Sequence, residues 1–364
     1  MPIAEAAVLN GTRQRLAVDR LAVRDPHDGE VLVRLGASGV CHSDLHVITG
    51  DLPMPLPCVL GHEGAGVVEA VGAGVQRVRA GDHVVLNWVP FCGSCWYCQS
   101  GQAYLCETGY VRAMGAEVFR RDGATVYQLA GVGSMAEYTV VPESGCIPID
   151  ADVPLDHACL IGCGVMTGVG AVINTARVRP GQSVAVFGTG GVGLNVVQGA
   201  VLAGAHPIIA VDINERKLGF ARQFGATHTV NGASTNPVDA VLELTGGRGA
   251  DYSFEVIGRP EVLVQAFMAI RRGGKAVVIG VPPSTSSVSL PGMLFPLGEK
   301  SVVGSLYGSA NMARDVPRLI ALYRAGKLKL DELITRRYRI AQVNEAFDAL
   351  DKGEVARGVI AFRG

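Results

Sequence analysis

In the first half of the chain, apolar residues recur at every second position over short stretches set apart by turn residues. Val31, Val33 and Leu35 alternate in this way, and Gly66-Val-Val-Glu-Ala-Val, Asp82-His-Val-Val-Leu and Ala136-Glu-Tyr-Thr-Val-Val are further short strand-like runs. The pattern predicts a β-rich, barrel-like domain. From about residue 165 it changes to fully apolar strands alternating with helical stretches: Ser183-Val-Ala-Val-Phe, Ile208-Ile-Ala-Val-Asp, Tyr252-Ser-Phe-Glu-Val and Lys275-Ala-Val-Val-Ile-Gly. Strands buried on both faces and separated by helices predict βαβ units on a parallel sheet. Two amphipathic helices, near 313–325 and 342–350, and a last strand, Gly358-Val-Ile-Ala-Phe, close the chain and are expected to pack back on the first domain.

A length of 364 residues exceeds one ordinary core and predicts two domains with a cleft. With 32 basic and 33 acidic side chains the net charge is -1, and the cations are scattered, so the footprint of a nucleic-acid binder is missing and small molecules are the expected partners. The start, Met1-Pro-Ile-Ala-Glu-Ala-Ala, does not read as a secretory signal, and no run reads as an uninterrupted bilayer span; a cytoplasmic protein without a membrane partner is expected. The 48 glycines fall at strand ends and tight turns, with no internal repeat.

Gly188-Thr-Gly190-Gly191-Val192-Gly193 follows directly on the strand Val184-Ala-Val-Phe187 and opens a helix rich in Val, Leu and Ala. Glycines there allow a tight turn and bring backbone N–H groups and a helix N-terminus up to a pyrophosphate. Asp212 ends the next strand, where a carboxylate can accept hydrogen bonds from an adenosine ribose. Its charge repels a 2′-phosphate, and Ile213-Asn214 supply no arginine, so NAD is favoured over NADP. Asp212 can instead cap a turn. Lys217 can reach the same ribose or be an ordinary surface lysine.

Four of the nine cysteines, Cys92, Cys95, Cys98 and Cys106, share one loop. In a chain with an odd cysteine total and no signal this clustering points to metal, and four thiolates around zinc leave no open position, so the site organises the loop. Two disulfides or an iron–sulfur cluster are the competing readings. A second set is dispersed: Cys41-His42-Ser43-Asp44-Leu45-His46, Gly61-His62-Glu63-Gly64 and Gly162-Cys163-Gly164. Taken singly, such residues are usually a small buried hydrophobe or a hydrogen-bonded core histidine.

Taken together, Gly39-Val-Cys41-His-Ser43-Asp44, Gly61-His62-Glu63-Gly64-Ala-Gly66, the four-cysteine loop, Leu160-Ile-Gly-Cys163-Gly and the glycine motif resemble the zinc-containing medium-chain alcohol dehydrogenases over essentially the whole chain. The resemblance implies an α/β protein with a β-rich, GroES-like catalytic domain, 1–165 completed by 308–364, and a Rossmann NAD-binding domain, 166–307. It implies two zinc ions per chain, one structural on the four clustered cysteines and one catalytic on Cys41, His62 and Cys163 with its fourth position open to water or substrate. Glu63 lies beside that metal, and Asp44 orients the ring of His62, an N-cap being its plainer role.

The same resemblance implies oxidation of an alcohol to an aldehyde with hydride transfer to NAD, the hydroxyl proton leaving through Ser43, the nicotinamide ribose and His46, although His46 can also be a plain surface histidine. Thr167 and Ile279 flank the nicotinamide, with Val281 nearby. His42 stands where some relatives place a phosphate-binding arginine, and Arg357 matches a second phosphate-binding arginine or is a charge in a loop. Trp88 and Leu306 match pocket-lining positions and, with Leu52-Pro-Met-Pro-Leu-Pro, imply a hydrophobic tunnel for a primary aliphatic or aryl alcohol; Trp88 reads equally as a core residue. The nearest rival is a thiol-adduct-dependent formaldehyde dehydrogenase, whose relatives carry an arginine where this chain has Tyr110, with Arg112 as a stand-in and Asp51 as the one nearby acid. A non-catalytic nucleotide sensor or structural protein on the same fold is the rival from another class. Relatives assemble through an edge strand, here about 297–306, so a homodimer or homotetramer is expected. The segment 107–131 fits the family poorly and carries no prediction.

Overall fold

The computed structural model describes residues 1–362. The chain divides into two compact units, Met1–Gly164 with the chain from Asn311 onward, and Val165–Ala310. The boundaries thus fall at 164/165 and 310/311, against 165/166 and 307/308 from the sequence.

The first unit holds two sheets. Ile3–Leu9, Ala17–Val23, Ala116–Arg121, Ala124–Gln128 and Cys58–Val59 close into a barrel. A seven-stranded sheet runs Cys146–Ile149, His83–Leu86, Gly64–Val71, Glu30–Val40, Arg357–Ala361 and Ile334–Tyr338, with Tyr138–Pro142 also paired to Glu30–Val40. The alternation at 31–35 is the cause of this placement: Val31, Val33 and Leu35 are buried in a common cluster with Val68, Val84 and Leu86, while Arg34 points away toward Glu69. The final strand pairs antiparallel with the end of Glu30–Val40, Gly358 facing Val40 and Ala361 facing Ala37. The tail therefore returns to the first unit. Its helices Met312–Arg324 and Val343–Asp351 bury one face each, the second through Val343, Ala346, Phe347 and Leu350 against Val40, Val47 and Ile360.

The segment without a prediction is ordered: a helix Glu107–Ala113 leads into the hairpin Ala116–Arg121/Ala124–Gln128, which supplies two of the five barrel strands. Asp122 and Gly123 turn it, both with positive φ (51° and 85°), as a two-residue hairpin turn requires.

The second unit is one parallel sheet in the order His228–Asn231, Ile208–Asp212, Val184–Phe187, Ala250–Glu255, Ile270–Val278, Ser301–Gly304. Its third, second, first, fourth, fifth and sixth strands in sequence thus lie side by side. The order reverses beside Val184–Phe187, and the carboxyl ends of strands at such a reversal form a ligand crevice.

One helical run, Leu155–Ala176, has the length of a bilayer span, although Gly162, Gly164, Thr167, Gly168 and Gly170 interrupt its apolar residues. Its 22 residues, with a mean hydropathy of 1.6, are long and apolar enough by composition, but 83% of that window is buried inside the protein. It is an interior helix. It also widens locally into a π-helical turn, Ile161–Val165, which contains Cys163.

Ile360 is fully buried where the tail strand meets the first unit. Ile360→Ala is expected to destabilise that unit by about 2–5 kcal/mol in urea unfolding. A loss below about 1 kcal/mol would mean that the tail contributes little to closing it.

Candidate active site

Asp44 organises the first cluster. The strand Glu30–Val40 ends at Cys41, which begins the helix His42–Thr49. From the first turn of that helix Asp44, fully buried, accepts the Cys41 N–H at 3.3 Å and the Gly61 N–H at 2.8 Å, and its Oδ2 lies 3.4 Å from His62 Nδ1. It thus caps the helix and faces the imidazole at once. Ligand atoms of Cys41, His62, Glu63 and Cys163 all lie within 4.8 Å of one another, and all four residues are buried. Neither ring nitrogen of His62 has a hydrogen-bond partner. With Nδ1 turned to Asp44, Nε2 remains for a metal.

Electrostatics in this knot follow from burial and crowding. The contact with Cys163 draws the Cys41 thiol well below its ordinary value, His62 and Arg357 adding to it, while the same contact and burial push Cys163 up. Burial disfavours a charged His62 ring, but Asp44 outweighs it and the ring is held well above its ordinary value. Two crowded sulfurs and an orphaned imidazole are a donor set that a soft dication satisfies. Burial pushes Glu63 up to about 7, against the opposing pull of Arg357. Glu63 Oε1 accepts the Gly164 N–H at 3.0 Å, and Oε2 meets the Arg357 guanidinium. Sequence reasoning did not find this ion pair: Arg357 opens the last strand and is itself almost wholly buried.

The second cluster is the four-cysteine loop. The sulfurs of Cys92, Cys95, Cys98 and Cys106 lie within 4.8 Å of one another, and each is a free thiol. Backbone N–H groups point at them: Ser94 and Cys95 donate to Cys92 Sγ at 3.4 and 3.3 Å, Cys92 and Gly109 to Cys106 Sγ at 3.2 and 3.4 Å. Bonding from the Ser94 hydroxyl, first, and from these amides lowers Cys92 to about 5. Burial pushes Cys98 up to about 12, but a loop that gathers four sulfurs and favours thiolate at Cys92 and Cys95 fits zinc.

In the second unit Gly188 turns with φ 97°, and a Cβ on Gly193 would overlap the Gly188 carbonyl oxygen. Gly190 faces open space and caps the helix Gly191–Leu202, whose first residues include Val192. The arrangement leaves room for a phosphate at a helix N-terminus. Asp212, buried at its strand end, does cap the turn: Oδ2 accepts Thr189 N–H at 2.8 Å and Thr189 Oγ1 at 3.0 Å, and Oδ1 accepts Asn214 N–H at 3.0 Å. Oδ1 keeps a lone pair for a ribose hydroxyl.

Comparison with known proteins matches residues 27–151 to the alcohol dehydrogenase GroES-like domain and residues 191–324 to the zinc-binding dehydrogenase domain. The chain belongs to the zinc-containing medium-chain alcohol dehydrogenase family. An NDMA-dependent alcohol dehydrogenase of Amycolatopsis methanolica is 41% identical over 98% of both chains. The crystal structure of a benzyl alcohol dehydrogenase from Acinetobacter calcoaceticus superposes with a TM-score of 0.94 at 35% identity, and that of an alcohol dehydrogenase zinc-binding domain protein from Burkholderia ambifaria with 0.95 at 36%; each covers 100% of both chains. As a member of this family the protein is an oxidoreductase, a GroES-like domain joined to a Rossmann-type domain.

The remaining residues fall as follows in this dehydrogenase. Ser43 Oγ is 3.8 Å from Cys41 Sγ, and His46, three positions on, shares its helix face. Trp88 meets the ring of His62 edge-on, centroids 6.4 Å apart, so it borders the first cluster. His42 is exposed at the helix start. Thr167 is buried in the second unit, Ile279 and Lys217 are half-buried there, and Val281 and Leu306 are exposed.

Removing the cation from a buried pair strands its partner. Arg357→Met is expected to lower unfolding free energy by roughly 3–5 kcal/mol, with partial recovery in the double variant Glu63→Gln/Arg357→Met. Denaturant unfolding of the three proteins checks this; a double variant no more stable than Arg357→Met would show that the loss is not electrostatic.

Proposed function

We propose that the protein reversibly oxidises a primary aliphatic or aryl alcohol to its aldehyde, with NAD as the hydride acceptor. The observation that carries the reading is the convergence of Cys41, His62 and Cys163 on one buried point around an imidazole without hydrogen-bond partners. On this reading those three residues hold the catalytic zinc and the four clustered cysteines hold the structural one. Zinc, when bound, supplies the Lewis acidity that makes an alcohol hydroxyl acidic near neutral pH. Asp44 holds the His62 ring, and Glu63, neutralised by Arg357, keeps a carboxylate beside the cluster. Ser43 and His46 carry the hydroxyl proton outward. Gly188, Gly190, Gly191, Val192 and Gly193 cradle the pyrophosphate of NAD, Asp212 and Lys217 grip its ribose, and Thr167, Ile279 and Val281 border the nicotinamide. His42 and Arg357 are the expected phosphate contacts, Arg357 sharing its guanidinium with Glu63. Trp88 beside His62, with Leu306, favours a hydrophobic substrate, as does the likeness to a benzyl alcohol dehydrogenase.

The thiol-adduct reading loses its anchor. Arg112, the stand-in, is tied to Glu30 Oε1 at 3.3 Å and to the Val140 carbonyl at 3.4 Å, beside Arg24, which bonds the same carboxylate. A second acceptor reading stands on the 41% identical relative, whose name makes it NDMA-dependent. Cysteines held outside disulfides at both clusters fit a reducing, cytoplasmic setting. The strand Ser301–Gly304 forms one edge of its sheet, and Met293, Leu297 and Leu306 near it in sequence are exposed, which supports a homodimer, with a homotetramer as the larger alternative.

NADH formation is expected across a panel of aliphatic and aryl alcohols, and Cys163→Ala is expected to lower kcat/KM by on the order of a thousandfold, the several kcal/mol that a Lewis acid contributes. Turnover of the wild type only when NDMA is added would replace NAD as the free acceptor, and turnover of a thiol adduct alone would restore the rival. Elemental analysis is expected to give two zinc ions per chain, one lost in Cys163→Ala and the other in Cys106→Ala; retention of both in either variant would contradict the ligand assignment. Sedimentation velocity is expected to show a dimer that Leu297→Asp weakens, and a monomeric wild type would refute the assembly.

A further inference from the structure

The turn after the helix His42–Thr49 holds a charge arrangement outside the roles described above. Gly50 ends that helix in the left-handed conformation, φ 88°, and turns the chain so that Asp51 comes back against the last helical turn. Thr49 Oγ1 donates to Asp51 Oδ2 at 2.6 Å, and His46 Nδ1 lies 3.7 Å from the same oxygen, an ion-pair distance. Both side chains are partly open to water, 29% for His46 and 44% for Asp51. The Thr49 hydroxyl first, then His46 and Arg13, hold the Asp51 carboxyl below its ordinary value, so it is an anion at neutral pH.

We propose that Asp51 is a positioning residue for the proton exit: it keeps the hydrogen of neutral His46 on Nδ1, leaves Nε2 as the acceptor, and faces the imidazolium with its charge when the proton arrives. The proposal rests on the reading of His46 as the outer member of the relay. The hydroxyl proton of the alcohol passes toward Ser43 as the Ser43 side of the relay yields its own proton to His46 Nε2. The imidazolium, facing the Asp51 carboxylate, then returns one proton to bulk water, so the relay is restored with no net change. Partial exposure suits this task, because the imidazolium must give its proton to water.

Other charges around the turn are accounted for. Arg13 packs on it, its N–H donating to the Ile48 carbonyl at 2.6 Å and its Nε to the Thr49 carbonyl at 3.4 Å, and it opposes a positive His46. The helix Val343–Asp351, which packs on the first helix, carries Glu345 bonded to Gln342, Asp348 bridged to Arg15, and exposed Asp351. Asp44, on the same helix as His46, is committed to Cys41, Gly61 and His62.

Asp51→Asn keeps the size of the side chain and an oxygen for Thr49 but removes the charge. In the zinc-loaded full-length protein, the imidazole NMR titration of His46, assigned by its loss in His46→Gln, is expected to move down by about half a pH unit, as an exposed ion pair warrants. The difference is expected to shrink in high salt, and Asp51→Glu to recover part of it. The acidic limb of the NADH-forming rate is expected to move to lower pH by the same amount. An unchanged His46 titration in Asp51→Asn overturns the proposal. A shifted titration together with a His46→Gln rate profile identical to wild type overturns instead the relay reading beneath it.

Discussion

Glu63 and Arg357 tie four distant stretches of chain to one buried point. Glu63 follows His62 directly; its one carboxylate oxygen receives the amide of Gly164, beside Cys163, and the other receives a guanidinium from the last strand. Gly39, two residues before Cys41, packs so closely on the same carboxylate that any Cβ there would collide with it. Asp44 already joins the amides of Cys41 and Gly61 to the ring of His62, and the strand before Cys41 pairs with the strand after Glu63; the Glu63–Arg357 pair adds Gly164, beside Cys163, and the last strand to the same point. A charge pair kept in a dry interior is costly to dismantle by halves, so each partner holds the other's stretch of chain in place.

Much of the architecture was legible because it rests on periodicity. The alternating run at 31–35 and the apolar strands at 184–187 and 208–212 bury the faces that their patterns assign. What periodicity missed was short or polar. His228–Asn231 and Ser301–Gly304 are four-residue strands at the two edges of their sheet, where no continuous apolar run is needed. The hairpin at 116–128 carried a readable signal in Asp122-Gly123, the dipeptide that tolerates positive φ at both central positions, but neighbouring charges obscured its strands.

Within the site, residues named by motif were legible and their partners were not. The family resemblance points to Cys41, His62 and Cys163, and those side chains, with Glu63, do meet. The partner of Glu63 lies 294 positions along the chain, and no local pattern joins two residues so far apart. Asp212 shows the opposite limit. Its bonds to Thr189 and Asn214 show the cap, and they leave a lone pair of the same carboxylate unused, so the cap does not by itself exclude a ribose contact.

The widened turn at Ile161–Val165 bears on how this chain tolerates change in length. A π turn is what an α-helix becomes when it absorbs one extra residue. Deleting a residue there would regularise the backbone hydrogen bonding, a local gain, while changing the direction in which the side chains of the turn itself point. The sulfur of Cys163 would then leave the cluster although the fold around it remained intact. Length in this stretch is therefore tied to the direction in which one thiol must point.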